Sequence, residues 1–279
     1  MSVHVDPPRR RFGSSLTALV LAALLAAPTG GCKKEQAPEP QDQTQREKVT
    51  LKLYVGAGLR YAVDELIEEF RKQTGIEVEP DYGGSGILLS RVQLKKDADL
   101  FMPGDAWYVE RLHEKTGLAE PKDRARIGYF VPVIVVRKGN PKNVRSLRDF
   151  FRGDVKAAIG NTSPQGPAVG QTTVELFKKH DLDASKLDAI QSLTVNELGN
   201  WVATGHADAA VVWRAIALNK ADELDIIEIP REKNVISEVV VAVVKNSRHR
   251  PEAKKFADFM TGDDGRAILT RLGYQIGPP

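Results

Sequence analysis

The strongest constraint on the fold is an alternation of strand-like and helix-like segments along residues 48–279. Residues 49–57 alternate between apolar and polar side chains with the period of a strand, and the next segment repeats apolar residues at helical spacing as far as Gly75. Residues 76–82 and 98–102 are typical of two further strands, and a helix follows each. Strands that alternate with helices through short glycine-rich connections predict a parallel sheet with crossover helices. The first part of the chain is therefore predicted to be α/β.

The same alternation continues towards the C-terminus. It predicts strands over 155–159, 207–213 and 224–229, and helices over 146–152, 168–180, 195–204, 214–219, 251–261 and 263–272. Two long β-branched runs, 129–141 and 235–247, bracket this second set. We interpret them as two passages of the chain between two lobes, hinged near 129–137 and 235–244. The expected division is a first lobe over 48–130, a second lobe over 131–238 and a return to the first lobe over 239–279.

Composition excludes several classes of protein. Of the 279 residues, 42% are hydrophobic and 28% are charged, which is typical of a globular protein and not of a disordered or polytopic membrane chain. A formal net charge of +3 is too small to indicate a nucleic-acid partner. The single cysteine excludes an internal disulfide framework and a zinc site built from cysteines. We therefore expect no nucleic-acid binding and no cofactor.

The N-terminal region has the pattern of an export signal. Three arginines at 9–11 precede an apolar run over 16–27, which is too short to span a bilayer, and small residues then lead to Cys32. This ending resembles the bacterial lipobox, which implies a signal peptide over 1–31 and lipid attached to Cys32; the alternative is a buried structural thiol. Residues 32–47 form a polar tether. The sequence leaves open whether export uses the general or the twin-arginine route.

Four small polar loops follow predicted strands and lead into helices, at 55–58, 83–86, 161–168 and 195–200. Ligands of open α/β sheets bind at such loops, and the free N–H groups of helix starts favour anions. Ser85 adds a hydroxyl donor, and the loop cores contain no lysine or arginine. This combination favours a small dehydrated oxyanion that is held by neutral donors.

The sequence resembles a known family, the periplasmic molybdate-binding proteins of ABC importers. The resemblance covers residues 49 to about 276, and its carriers are the segments LKLYVGAGLRYAVDELIEEFRKQTGIEVEPDYGGSG, DADLFMPGDAWYVERL, PAVGQTTVELFKK, GHADAAVVWRAIA and RLGYQI. The resemblance implies the two-lobed type II periplasmic binding fold, in which each lobe is a mixed sheet flanked by helices and the ligand cleft lies between the lobes.

The resemblance also implies a set of anion-binding positions. Ser85 corresponds to the serine of the second loop, Ala168 to a backbone donor that follows a proline, and the next backbone donor falls near Leu198. Gly58 stands where the family has a hydroxyl residue, and Trp213 stands where it often has a tyrosine. Further candidates beside these positions are Ala57, Gly84, Pro167 and Glu197.

The function implied by the resemblance is that of an exported solute-binding lipoprotein. We expect a monomer, anchored to a membrane by lipid on Cys32, that captures molybdate or tungstate by hinge closure and delivers it to an ABC permease. The metal is bound only as its oxyanion, with no direct protein–metal ligation. Sulfate or another anion as ligand, and a sensor without transport, remain alternatives.

A serine hydrolase is the least favoured alternative. Ser85 lies on a strand-to-helix turn, as the nucleophile of such an enzyme does. A nucleophile elbow needs glycines two residues away on both sides, and Ile87 occupies one of those positions. We therefore predict that the protein is not an enzyme and has no catalytic residues.

Overall fold

The computed structural model describes residues 49–278. The predicted signal peptide and tether, with Cys32, lie outside the described residues. None of the helices within 49–278 is both long enough and apolar enough to cross a bilayer.

Ten strands and eight helices alternate along the described chain. The strands are β1 (Thr50–Gly56), β2 (Glu77–Gly83), β3 (Leu100–Met102), β4 (Arg124–Phe130), β5 (Pro132–Arg137), β6 (Ala157–Gly160), β7 (Ala189–Ser192), β8 (Ala209–Trp213), β9 (Leu224–Glu228) and β10 (Ser237–Val243). The helices are α1 (Arg60–Thr74), α2 (Ser85–Lys95), α3 (Ala106–Thr116), α4 (Ala168–Lys179), α5 (Val195–Ala203), α6 (Arg214–Leu218), α7 (Arg250–Thr261) and α8 (Asp263–Arg271).

The strands form two five-stranded sheets, one in each lobe. The first has the order β2-β1-β3-β10-β4 and the second the order β7-β6-β8-β5-β9. In the first sheet β1 is parallel to β2 and β3, whereas β10 is antiparallel to both of its neighbours. In the second, β6 is parallel to β7 and β8, and β5 is antiparallel to both of its neighbours. The predicted architecture, two mixed sheets flanked by helices, is confirmed.

The chain crosses between the two sheets at two places. The β-branched run over 129–141 is divided at Val131, so that β4 ends in the first sheet and β5 begins in the second. Proline at 132 restricts the preceding residue and cannot donate to a ladder, which accounts for the break. The second crossing lies at 229–236, before β10, and β10 lies wholly in the first sheet.

A buried side chain connects the two crossings. Asn234 is 5% exposed, and its amide nitrogen donates to the carbonyl oxygens of Pro132 at 2.9 Å and Ile229 at 3.4 Å. Its side-chain oxygen accepts from the Val235 N–H at 2.8 Å. One side chain therefore holds the two interlobe segments side by side.

Local sequence signals account for the helix ends that shape the site. α1 buries one apolar face and ends at Gly75, whose φ of 72° is accessible to glycine at little cost. α3 begins after Asp105, whose carboxylate accepts from the Trp107 N–H at 2.8 Å and so caps the helix. The predicted helix over 146–152 is a shorter 3-10 turn, Leu147–Phe151.

Candidate functional site

A small cavity lies where loops of both lobes meet. The first lobe lines it with Gly56, Ala57, Gly58, Gly83, Ser85, Gly104 and Phe130, and the second lobe with Pro167, Ala168, Val169, Thr194, Val195 and Trp213. The space free of protein atoms is about 250 Å³ including open solvent, and the part that a water-sized group can occupy is only about 10 Å³. That is near the minimum for one water molecule, so the cavity is tightly closed.

The first lobe contributes the hydroxyl of Ser85, the first residue of α2. Ser85 is 2% exposed, and its oxygen accepts from the Gly104 N–H at 3.0 Å. The proton of the hydroxyl remains free to donate to a ligand, and the oxygen keeps a second lone pair. The Ser85 N–H, in the first turn of α2, has no partner within its own helix.

The second lobe contributes two helix starts. α4 begins at Ala168 after Pro167, and α5 begins at Val195 after Thr194. Thr194 caps α5, because its hydroxyl oxygen accepts from the Glu197 N–H at 3.4 Å. First-turn N–H groups lack partners within the helix and carry the positive end of the helix dipole. The two helix starts therefore add donors and partial positive charge to the second-lobe side of the cavity.

No charged side chain is among the residues that line this cavity. The nearby Arg60 is exposed, and its guanidinium carbon lies 3.8 Å from the ring centroid of Tyr82. Residues 49–278 also contain no group of three or more His, Cys, Asp or Glu residues placed to hold a metal ion. An anion in the cavity would be held by neutral donors.

Aromatic rings close one side of the cavity. Trp213 is 2% exposed and stacks on Phe130, with ring centroids 4.7 Å apart and an interplanar angle of 1°. The Tyr274 hydroxyl donates to the carbonyl oxygen of Gly58 at 2.8 Å. Burial raises the pKa of Tyr274 above its ordinary value, so this hydroxyl is neutral and remains a donor at physiological pH.

Several of the residues predicted from the sequence come together here. The cavity is lined by Gly58, Ser85, Ala168, Trp213, Ala57 and Pro167. Gly84 is the N-cap of α2 and faces the other lobe, since a Cβ built on it would lie 2.7 Å from the carbonyl oxygen of Leu193.

Leu198 and Glu197 are not among the lining residues. Leu198 is fully buried, and as the fourth residue of α5 its N–H is in position to bond within the helix. The Glu197 carboxylate accepts from the Ser192 hydroxyl. Thr194 and Val195 supply this side of the cavity instead.

Sequence reasoning missed Thr194, although a signal for it exists. A threonine three residues before a glutamate is typical of a helix N-cap, and this pattern starts α5 at residue 195. Gly104 and Phe130 were also missed, because no local pattern distinguishes them from turn and core residues.

The two lobes touch at the rim of the cavity. The carbonyl oxygen of Gly166, in the second lobe, accepts from the N–H of Gly86 at 3.1 Å. The Tyr108 hydroxyl of the first lobe lies 3.5 Å from the same oxygen. The structure thus shows the lobes closed on each other.

Comparison with known proteins agrees with this architecture. Residues 51–275 match the family of bacterial extracellular solute-binding proteins. A binding protein of Haemophilus influenzae is 30% identical over 227 residues, which cover 80% of this chain and 90% of that protein. The molybdate-binding protein ModA of Mycobacterium tuberculosis is 28% identical over 260 residues, which cover 92% of this chain and 96% of that protein.

A solved structure shows the same fold. The sulfate-binding protein SubI of Mycobacterium tuberculosis superposes with a TM-score of 0.73 at 19% sequence identity, over 83% of this chain and 88% of that one. These relatives are solute-binding proteins and not enzymes. With its two lobes, its interlobe cavity and a family match along nearly all of the described residues, the chain belongs to the bacterial extracellular solute-binding proteins.

Proposed function

We propose that this protein captures a tetrahedral oxyanion, molybdate or tungstate, and delivers it to an ABC permease. One observation carries the proposal: helix starts from both lobes meet at a single cavity whose lining includes no charged side chain. Helix starts bind anions through their free N–H groups and their dipoles. No covalent step is involved.

The chemistry of the lining favours an anion that carries no proton. The helix-start N–H groups and the indole N–H only donate. The Ser85 and Thr194 oxygens each already accept one backbone N–H, which leaves each of them one lone pair. Phosphate keeps a proton near neutral pH and needs an acceptor for it, whereas molybdate, tungstate and sulfate are fully ionised. We therefore expect phosphate to bind weakly.

Lobe closure is the proposed mechanism of capture. Ser85 and Ala168 belong to different lobes and line the same cavity, so an anion that bonds to both stabilises the closed form. The two crossings, at Val131 and over 229–236, are the segments about which the lobes would move.

Sulfate is the second candidate ligand. The names of the relatives support a tetrahedral oxyanion as ligand, but they differ in which one. ModA is named for molybdate and SubI for sulfate.

A thermal-shift panel tests the proposed ligand class. Molybdate, tungstate, sulfate, chromate, phosphate and a set of sugars and amino acids are each added to the purified protein. A ligand that binds only the folded state raises the melting temperature, by an amount that grows with its concentration relative to Kd. A shift with molybdate or tungstate supports the proposal. A shift with sulfate alone reassigns the ligand, and no shift with any oxyanion contradicts the ligand class.

The lipid anchor is proposed from the sequence. Lipid on Cys32 would leave the folded lobes on a short tether outside the cytoplasm. In the native host, the wild-type protein should partition into the detergent phase of a Triton X-114 extract, and Cys32→Ala into the aqueous phase. Equal partitioning of the two proteins would rule the anchor out.

A further inference from the structure

We propose that Gly58 and Trp213 act as one coupled element that fixes a hydrogen-bond donor for the anion. The indole of Trp213 occupies the space that any side chain at position 58 would need, and its N–H takes the place of a donor from that position. This inference rests on the proposed function for its ligand, but the coupling itself is a property of the packing.

The space beside Gly58 is already filled. A Cβ built on Gly58 would lie 2.8 Å from Cδ1 of Trp213, 3.2 Å from its Nε1 and 3.0 Å from Cγ1 of Val195. The first of these distances is shorter than ordinary carbon–carbon contact by most of an ångström. Even alanine at position 58 therefore requires the indole or the backbone to move.

Backbone conformation does not explain the glycine. The glycines with positive φ are Gly75, Gly117, Gly139, Gly205 and Gly273, and Gly58 is not among them. Position 58 lies in a 3-10 turn, Ala57–Leu59, that other residues can adopt. What glycine provides at position 58 is space for the indole.

The indole of Trp213 is held in place by aromatic neighbours. It stacks on Phe130 at 4.7 Å, and Phe130 in turn packs against Tyr274 with ring centroids 6.0 Å apart. The Tyr274 hydroxyl donates to the carbonyl oxygen of Gly58, which closes a ring of contacts. Trp213 belongs to the second lobe and the other three residues to the first. The indole therefore has little freedom to swing aside.

The indole N–H of Trp213 is an unused donor. Trp213 lines the cavity, and within residues 49–278 its indole N–H donates to no protein acceptor. This N–H is not among the buried polar atoms that lack a partner, so it is open to the cavity, where an anion can accept from it. An indole N–H cannot accept a hydrogen bond, so it also favours an ionised oxyanion over a protonated one.

A double-mutant cycle separates the steric coupling from the donor role. The variants are G58S, W213Y and the double variant G58S/W213Y, with W213F as the variant that lacks a donor and G153A as the control. A Cβ on Gly153 meets no atom within 4 Å, so G153A reports the effect of losing a glycine alone. Each protein is measured without ligand for its melting temperature, and by calorimetry with sodium molybdate and with sodium sulfate.

We expect G58S to lower the melting temperature when Trp213 is present and to lower it much less in the W213Y background. For the anion that wild type binds, G58S should weaken affinity by about tenfold or more, and the double variant should recover most of that loss, in line with coupling of contacting residues. W213F should bind more weakly than W213Y, and G153A should match wild type in affinity.

Equal effects of G58S in both backgrounds, on stability and on affinity, would overturn the coupling. Equal affinities of W213F and W213Y would overturn the donor role. If the wild-type protein binds neither anion, the proposed function and the donor role are both contradicted. The melting temperatures of the ligand-free variants still decide whether the steric coupling exists.

Discussion

At the scale of single residues, we expect Ser85 to bond to both the protein and the ligand. Its oxygen accepts from the Gly104 N–H at 3.0 Å, and its proton is left for the anion. Replacing it with alanine removes a donor to a charged group, and such hydrogen bonds contribute about 1.5–3 kcal/mol. We expect Ser85→Ala to weaken anion binding by that amount in a calorimetric titration.

The matched control for this variant is Ser90→Ala. Ser90 lies in the same helix, and its hydroxyl donates to the carbonyl oxygen of Gly86 at 3.1 Å, outside the residues that line the cavity. This variant should keep the wild-type affinity. If the two variants bind equally well, Ser85 has no part in holding the anion.

Ser85 and Ala168, predicted where a loop and a helix start coincide, both line the cavity. Leu198, the predicted donor of the fourth loop, does not line it, whereas Val195, three residues earlier, does, because the start of a helix is the least certain part of a periodic pattern. The contact between Gly58 and Trp213 is invisible in the sequence. The two residues are far apart in the chain and lie next to each other only in the folded protein, where the two lobes meet.

At the scale of elements, α3 carries an acidic cap close to the site. The Asp105 carboxylate accepts from the Trp107 N–H, and burial raises the pKa of Asp105 above its ordinary value of about 3.9. The Asp105 carboxyl group therefore keeps its proton up to a higher pH in the folded protein than in the unfolded chain. Stability contributed by Asp105 therefore falls as pH rises through its raised pKa.

Asparagine at position 105 should remove this pH dependence. It keeps an acceptor for the cap, since asparagine is as good an N-cap as aspartate, and it has no charge to desolvate. We expect the urea midpoint of Asp105→Asn, relative to wild type, to increase between about pH 4 and pH 7. A relative decrease over that range would show that the ionised cap stabilises the folded state.

The elements themselves follow closely from the sequence pattern. Strand alternation and helical spacing predict the ends of β1, α1, α4 and most other elements to within a few residues of where the structure has them. The run 129–141 is the exception, because only Val131 separates β4 from β5, and two strands so close in the chain look like one long strand in the sequence. β7 is not predicted, because Ala189–Ser192 is a short strand with mixed exposure and no apolar alternation.

At the scale of the whole molecule, we expect anion binding to be coupled to lobe closure, and the lobes meet at Gly86. A Cβ on this glycine would lie 2.2 Å from the carbonyl oxygen of Pro164 and 2.6 Å from Cα of Gln165, both in the other lobe. The added methyl group of Gly86→Ala therefore opposes the closed form, since the three nearest atoms that it meets all belong to the other lobe. The variant should bind the anion more weakly and should show a larger radius of gyration than wild type in X-ray scattering with saturating ligand.

Gly199→Ala is the matched control for Gly86→Ala. Gly199 is also a helical glycine, but its added Cβ would meet Cγ2 of Ile216 at an ordinary 3.6 Å within the same lobe. Its scattering curve and its affinity should match those of wild type. A Gly86→Ala variant that closes and binds as wild type does would show that the lobe contacts seen here are not needed for capture.

We propose that one oxyanion is held by helix starts from both lobes. Crystals grown with tungstate can locate that anion, because tungsten gives a strong anomalous signal that marks its own position. We predict a single peak that places tungstate oxygens within hydrogen-bond distance of the Ser85 hydroxyl and the Ala168 N–H. A peak elsewhere on the molecule, or the absence of any bound tungsten, would contradict the claim.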